Sequence, residues 1–148
     1  MSVLPYIEPI VLEVLAIQET DGVGLEKIVN TEQWKGLKKI EIEPGIDENM
    51  LVPHFTHFVE CDVIVDTINH EVLVELKNIF LRPESKMRYF ALRSGNALGA
   101  ALSGFGDNYD RNSLFDLSWT FETSKPNVSL VVGLENDHLR FFYKYADD

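Results

Sequence analysis

The stretch THFVECDVIVDTINHEVLVELKNIF, residues 56–80, decides how this chain is read. In an extended backbone successive side chains point to opposite faces. Phe58, Glu60, Asp62, Ile64 and Asp66 then share one face, and Val59, Cys61, Val63, Val65 and Thr67 the other. Beyond Asn69-His70, Val72, Val74, Leu76, Asn78 and Phe80 alternate with Leu73, Glu75, Lys77 and Ile79. Period two through both limbs predicts a β-hairpin, with strands over 56–67 and 71–80, one face apolar and one acidic.

The same pattern extends to either side. Arg82-Pro83-Glu84-Ser85 reads as a turn into a strand over 87–93. Phe115, Leu117, Trp119 and Phe121, then Val128, Leu130, Val132 and Leu134, then Leu139, Phe141, Tyr143 and Tyr145 alternate with mostly polar residues. They predict a three-stranded meander over 115–123, 128–135 and 138–145. Upstream, strands are expected over 10–19, 23–29 and 38–43, with a turn or short helix carrying Trp34 over 30–37 and a loop over 45–54. Residues 94–113 hold Gly95, Gly99, Gly104 and Gly106. They read either as one short helix near 96–103 or as a mobile loop through Gly104, Gly106, Asp107 and Asp110. The sum predicts a single all-β domain, 1–148, an antiparallel sandwich or barrel; an α+β fold is the alternative.

Charge is unevenly distributed. Residues 1–76 carry fifteen Asp/Glu and four Lys, so the whole net charge of −11 resides there; residues 77–148 balance to zero. That polarity argues against a nucleic-acid ligand, whose phosphates need cations, and favours a partner with a basic surface. The 45% hydrophobic content supports a packed core rather than a disordered chain. No stretch resembles a membrane span. Residues 1–19 lack a basic leader, and Glu8 and Glu13 interrupt their apolar run, unlike a signal peptide. Cys61 is the sole cysteine, which suits a reducing compartment such as the cytoplasm.

Motifs that could carry chemistry are sparse. His54-Phe-Thr-His57 with Glu60 and Asp62 has metal-binding residue types, but in a strand its histidines point to opposite faces, so no metal is expected. Asp107-Asn108-Tyr109-Asp110-Arg111-Asn112 lacks the EF-hand spacing and reads as a solvated turn. Cys61 falls among valines, as an inert buried thiol does. Ser103 and Ser113 sit in no nucleophile-elbow pattern. Lys77, Arg82, Lys86, Arg88 and Arg93 interleave with Phe80, Tyr89 and Phe90, as in some single-strand binders, although Glu71 and Glu75 neutralise them. No cofactor pattern is present, and catalysis is not expected.

These readings favour a non-catalytic, acidic protein-binding module, of the kind seen in inhibitor or immunity proteins or in subunits of viral or secretion assemblies. Its partner-binding residues would be Glu60, Asp62, Asp66, Glu71 and Glu75, projecting from one hairpin face toward a basic protein. Self-association is compatible with that picture. The competing reading is a β-barrel, with or without enzymatic activity, in which Phe115, Trp119, Phe121, Phe141 and Tyr143 line a cavity for a small apolar ligand, with His138 or Arg140 near its mouth.

Overall fold

A computed structural model describes residues 14–17, 29–42, 45–111 and 114–146. Seven strands, β1 (Val14–Ile17), β2 (Lys39–Ile42), β3 (Glu60–Ile64), β4 (Tyr89–Arg93), β5 (Leu117–Glu122), β6 (Val128–Glu135) and β7 (His138–Tyr145), form one sheet in the order β1-β2-β3-β4-β7-β6-β5. β1 to β4 are mutually parallel. β7 runs antiparallel to β4 and to β6, and β6 antiparallel to β5. Between the parallel strands lie α1 (Glu32–Gly36), α2 (Leu51–Phe55) and α3 (His70–Leu81); α4 (Ala97–Phe105) links β4 to the meander. The fold is mixed α/β, which corrects the all-β expectation. β1 and β5 are different ends of an open sheet, so this is neither a sandwich nor a barrel.

The decisive correction falls on residues 71–80, which are helical. Asn69 caps α3, its side-chain oxygen accepting the Glu71 N–H at 2.8 Å. Leu73, Leu76 and Phe80 are buried at spacings of three and four, the helical rather than the extended period. Arg82 ends the helix in an extended conformation, as a residue preceding Pro83 must. With a twelve-residue helix between them, β3 and β4 pair in parallel, a geometry that needs a crossover rather than a tight turn. The strand expected over 56–67 shrinks to Glu60–Ile64, because Thr56 caps the end of α2. That helix, with a 3-10 turn at Glu48–Met50, replaces the loop expected over 45–54. Pro53 sits in its first turn, where an amide hydrogen would have no intrahelical partner.

Elsewhere the expectations hold more closely. β6 and β7 coincide with the strands read at 128–135 and 138–145. β4, β5, β2 and α1 lie within their expected segments, and β1 lies within 10–19. The strand expected over 23–29 falls, apart from Val29, outside the described residues.

The core lies between the helices and one sheet face. A buried row crosses the sheet in register, Ile40, Cys61, Phe90, Phe141, Val132 and Trp119. Phe80 of α3 stacks on Phe141 at 5.6 Å, and Phe105 of α4 meets both Trp119 and Phe141. Trp34 packs edge-on to Phe55 and Phe58 and donates its Nε1–H to the His54 carbonyl at 2.9 Å. Crossovers of one hand, stepping one way across a sheet, bring their helices to one face. The opposite face, among the described residues, carries no helix.

Candidate functional site: two acidic surfaces

Glu60 and Asp62 of β3 project from the face opposite the helices, as alternation predicts. Lys39, Glu60, Tyr89, Phe142, Val131 and Thr120 lie across it in one register row. Glu41, Asp62, Ala91, Arg140, Gly133 and Ser118 form the next. Glu60 pairs with Lys39 at 3.4 Å, both about half exposed, so much of its charge is already matched by a weak surface ion pair. Past β4 the sign reverses: Arg93, Arg140 and His138 follow. Burial raises the Tyr89 hydroxyl pKa, opposed by Arg140 and reinforced by Asp62 and Glu60. Burial also lowers the His138 imidazole, helped by Arg140 and Arg93 against Asp62 and Asp137. Its Nε2 is buried without a hydrogen-bond partner. This face is therefore bipolar, acidic on β2 and β3 and cationic on β4 and β7.

Glu71 and Glu75 do not join Glu60 and Asp62. A hairpin would have aligned them, but as exposed residues of α3 they belong to the helical layer. There they meet Glu48, which the sequence reading did not single out. A depression of about 350 Å³ is lined by Glu48, Glu71 and Glu75 with Asn49 and Asn69, around Val52, Pro53 and Val72. The Glu48 carboxylate accepts the Asn69 N–H, tying the turn before α2 to the cap of α3. Among the described residues no cationic side chain lines it. Asp66 is exposed beyond β3, where its carbonyl accepts the Ser94 hydroxyl. The expected single acidic face thus resolves into a sheet surface and a helical surface.

The other candidates also separate. His57 Nε2 donates to the Trp34 carbonyl at 2.9 Å, and His54 supplies a carbonyl to Trp34, so both are tied into the aromatic cluster. Among the described residues no group of three or more His, Cys, Asp or Glu converges as metal ligands would. Cys61 faces the core, and burial raises its thiol pKa well above the ordinary value, with Asp62 adding to the rise. In the segment read as a helix or a mobile loop, the helix forms. Gly104 packs so closely on α3 that a Cβ would lie 3.1 Å from the His70 carbonyl oxygen. Gly106, at φ 83°, ends the helix and accepts the Trp119 Nε1–H. Asp107 is exposed, and Asp110 bridges to Ser118. Ser103 is exposed on α4, and Asn112 and Ser113 lie outside the described residues.

The aromatic residues expected to line a barrel cavity do not do so. Trp119 and Phe141 fill the core, with Phe121 and Tyr143 packed against it. Phe115 lies on the opposite face, over Gly133 and beside Phe142. The basic stretch also splits. Lys77 sits over the Phe121 ring, Arg82 and Arg88 line a cleft beyond α3, and Arg93 joins the outer sheet face. No described helix is long and apolar enough to cross a membrane.

The family model of the FTH domain matches residues 1–98. The chain belongs to the FTH domain family. The matched FTH segment contains the four parallel strands, α1 to α3 and the beginning of α4, so it includes both acidic surfaces. The antiparallel meander lies beyond it. No curated protein and no solved structure matches the chain.

Proposed function

We propose that this FTH-family chain is a non-catalytic recognition module whose acidic surfaces bind a protein with a basic face. The observation that carries the reading is the depression between α2 and α3. Three carboxylates, Glu48, Glu71 and Glu75, ring the apolar Val52, Pro53 and Val72, with no lining cation among the described residues. An apolar centre with a charged rim is the usual anatomy of a protein interface. The rim charges steer and orient a cationic partner, and the apolar centre supplies affinity. Sheet residues Glu60 and Asp62 contribute less, because Lys39 already neutralises Glu60 and cations lie a few strands away. A reducing compartment such as the cytoplasm fits the single, buried thiol.

The test begins with partner capture and then compares two charge-neutralised variants. Glu48→Gln/Glu71→Gln/Glu75→Gln should slow association and flatten its salt dependence, with the fold intact. Glu60→Gln/Asp62→Asn/Asp66→Asn should have the smaller effect. Parent-like association kinetics in both variants would reduce the acidic half to a solubility device and overturn the reading.

A further inference from the structure

We propose a second, oppositely charged site: the cleft between the α3–β4 turn and the β5–β6 turn takes a phosphoryl group. Arg82, Ser85 and Arg88 come from the first turn, Thr123 and Lys125 from the second, and Tyr143 of β7 forms a wall. Among the described residues no carboxylate lines the cleft. Among the described residues none of the three cations has a carboxylate within ion-pair distance. In a chain of net charge −11, three cations with no described carboxylate partner meet at one concavity.

Both turns are held before any ligand arrives. The Ser85 N–H donates to the Arg82 carbonyl at 3.1 Å, and Ser85 Oγ accepts the Met87 N–H at 3.3 Å. Thr123 Oγ1 accepts the Lys125 N–H at 3.1 Å and donates to the Val128 carbonyl at 2.7 Å. The Tyr143 hydroxyl donates to the Phe80 carbonyl, fixing the wall. A cleft that is already formed needs little reorganisation to bind.

Size selects the ligand. The cleft is small, about 120 Å³. Pockets for drug-sized molecules start at roughly 300 Å³. A compact tetrahedral oxyanion therefore fits inside, and the remainder of any larger ligand would lie outside the cleft. Guanidinium groups present paired N–H donors to phosphoryl oxygens, Lys125 adds a point charge, and the Ser85 hydroxyl adds a neutral donor. The phosphoryl group could come from a small phosphate or from a phosphorylated peptide, whose remaining chain would lie outside the cleft.

The test is an amide-resolved NMR titration of the full chain at constant ionic strength. Its probes are inorganic phosphate, a short phosphoserine peptide and the unphosphorylated twin of that peptide. Saturable shifts at Ser85, Arg88 and Lys125 are expected. Arg88→Gln and Lys125→Gln should each weaken binding about tenfold, equivalent to ~1.4 kcal/mol, while Glu60→Gln leaves it unchanged. Lys125 is exposed on its turn, so Lys125→Gln remains informative even if Arg88→Gln disturbs the fold. Tighter binding of the phosphopeptide than of phosphate, with its twin silent, identifies a peptide source. Equal or tighter binding of phosphate identifies a small phosphate. Absence of saturation with both phosphorylated probes, or parent-like affinity in Arg88→Gln and Lys125→Gln, would overturn the proposal.

Discussion

Gly133→Ala should destabilise the protein because of one ring. Gly133 lies in β6, between Ser118 of β5 and Arg140 of β7. A methyl group there would stand 2.5, 2.6 and 2.7 Å from Cδ1, Cε1 and Cγ of Phe115. The contacts include the root of the ring, so a small rotation does not relieve them. Phe142, with its centroid 5.9 Å from that of Phe115, restricts the sideways escape. Overpacking of this kind costs about 1–3 kcal/mol. Replacing a strand glycine by alanine returns roughly 0.5–1 kcal/mol of backbone entropy. The balance is a loss of about 1–2 kcal/mol, or a fall in melting temperature of roughly 2–8 °C for a chain of this size. Urea unfolding of Gly133→Ala, Phe115→Leu and the double variant would isolate the cause. In the Phe115→Leu background the added methyl should be neutral or stabilising. Equal destabilisation in both backgrounds would show that the ring is not the obstacle and would refute the reasoning.

Two further outcomes are expected. Trp119→Ala should lose ~3–5 kcal/mol, as large aromatic truncations in cores do, because Trp119 is buried against Phe105 and Tyr109 and bonded to the Gly106 carbonyl; a parent-like urea midpoint would place its ring outside the core. Burial holds the His57 imidazole below its ordinary pKa of 6.5, the bond to the Trp34 carbonyl opposing and His54 assisting. A depressed folded-state pKa means the unfolded chain takes the proton more readily, so this stabilisation is whole above 6.5 and is lost as pH falls through the folded value. The parent's advantage over His57→Gln in urea midpoint should therefore narrow between about pH 7.5 and about pH 5.5, and a constant gap would contradict the assignment.

The contrast between α3 and the meander shows what was legible in the sequence. β6 and β7 bury one face each within an antiparallel array, so their alternation maps onto structure residue by residue. In α3, residues 72, 73, 74, 76, 79, 80 and 81 are all apolar, so a period of two fits as well as 3.6. The cap at Asn69 was the available discriminating signal. Misreading that one segment changes the topology, because a helix between β3 and β4 makes them parallel. The candidate site followed the same division. Glu60 and Asp62 face outward as alternation requires, whereas Glu71 and Glu75 moved to the helical layer with their helix. Their association with Glu48 depends on α2 docking against α3, a contact between segments that local pattern does not encode.

β7 sits between β4 and β6 although it follows both in the chain. During synthesis the matched FTH segment, β4 included, is complete before its neighbour β7 exists. At ~5–20 residues per second, the 52 residues from Arg93 to Tyr145 take roughly 3–10 s. Throughout that interval β4 carries an open hydrogen-bonding edge inside what will become the middle of the sheet. Such an edge can accept a foreign strand. The nascent chain therefore has a timed vulnerability, in which a chaperone, or β7 of a neighbouring chain, competes for the place its own β7 will occupy.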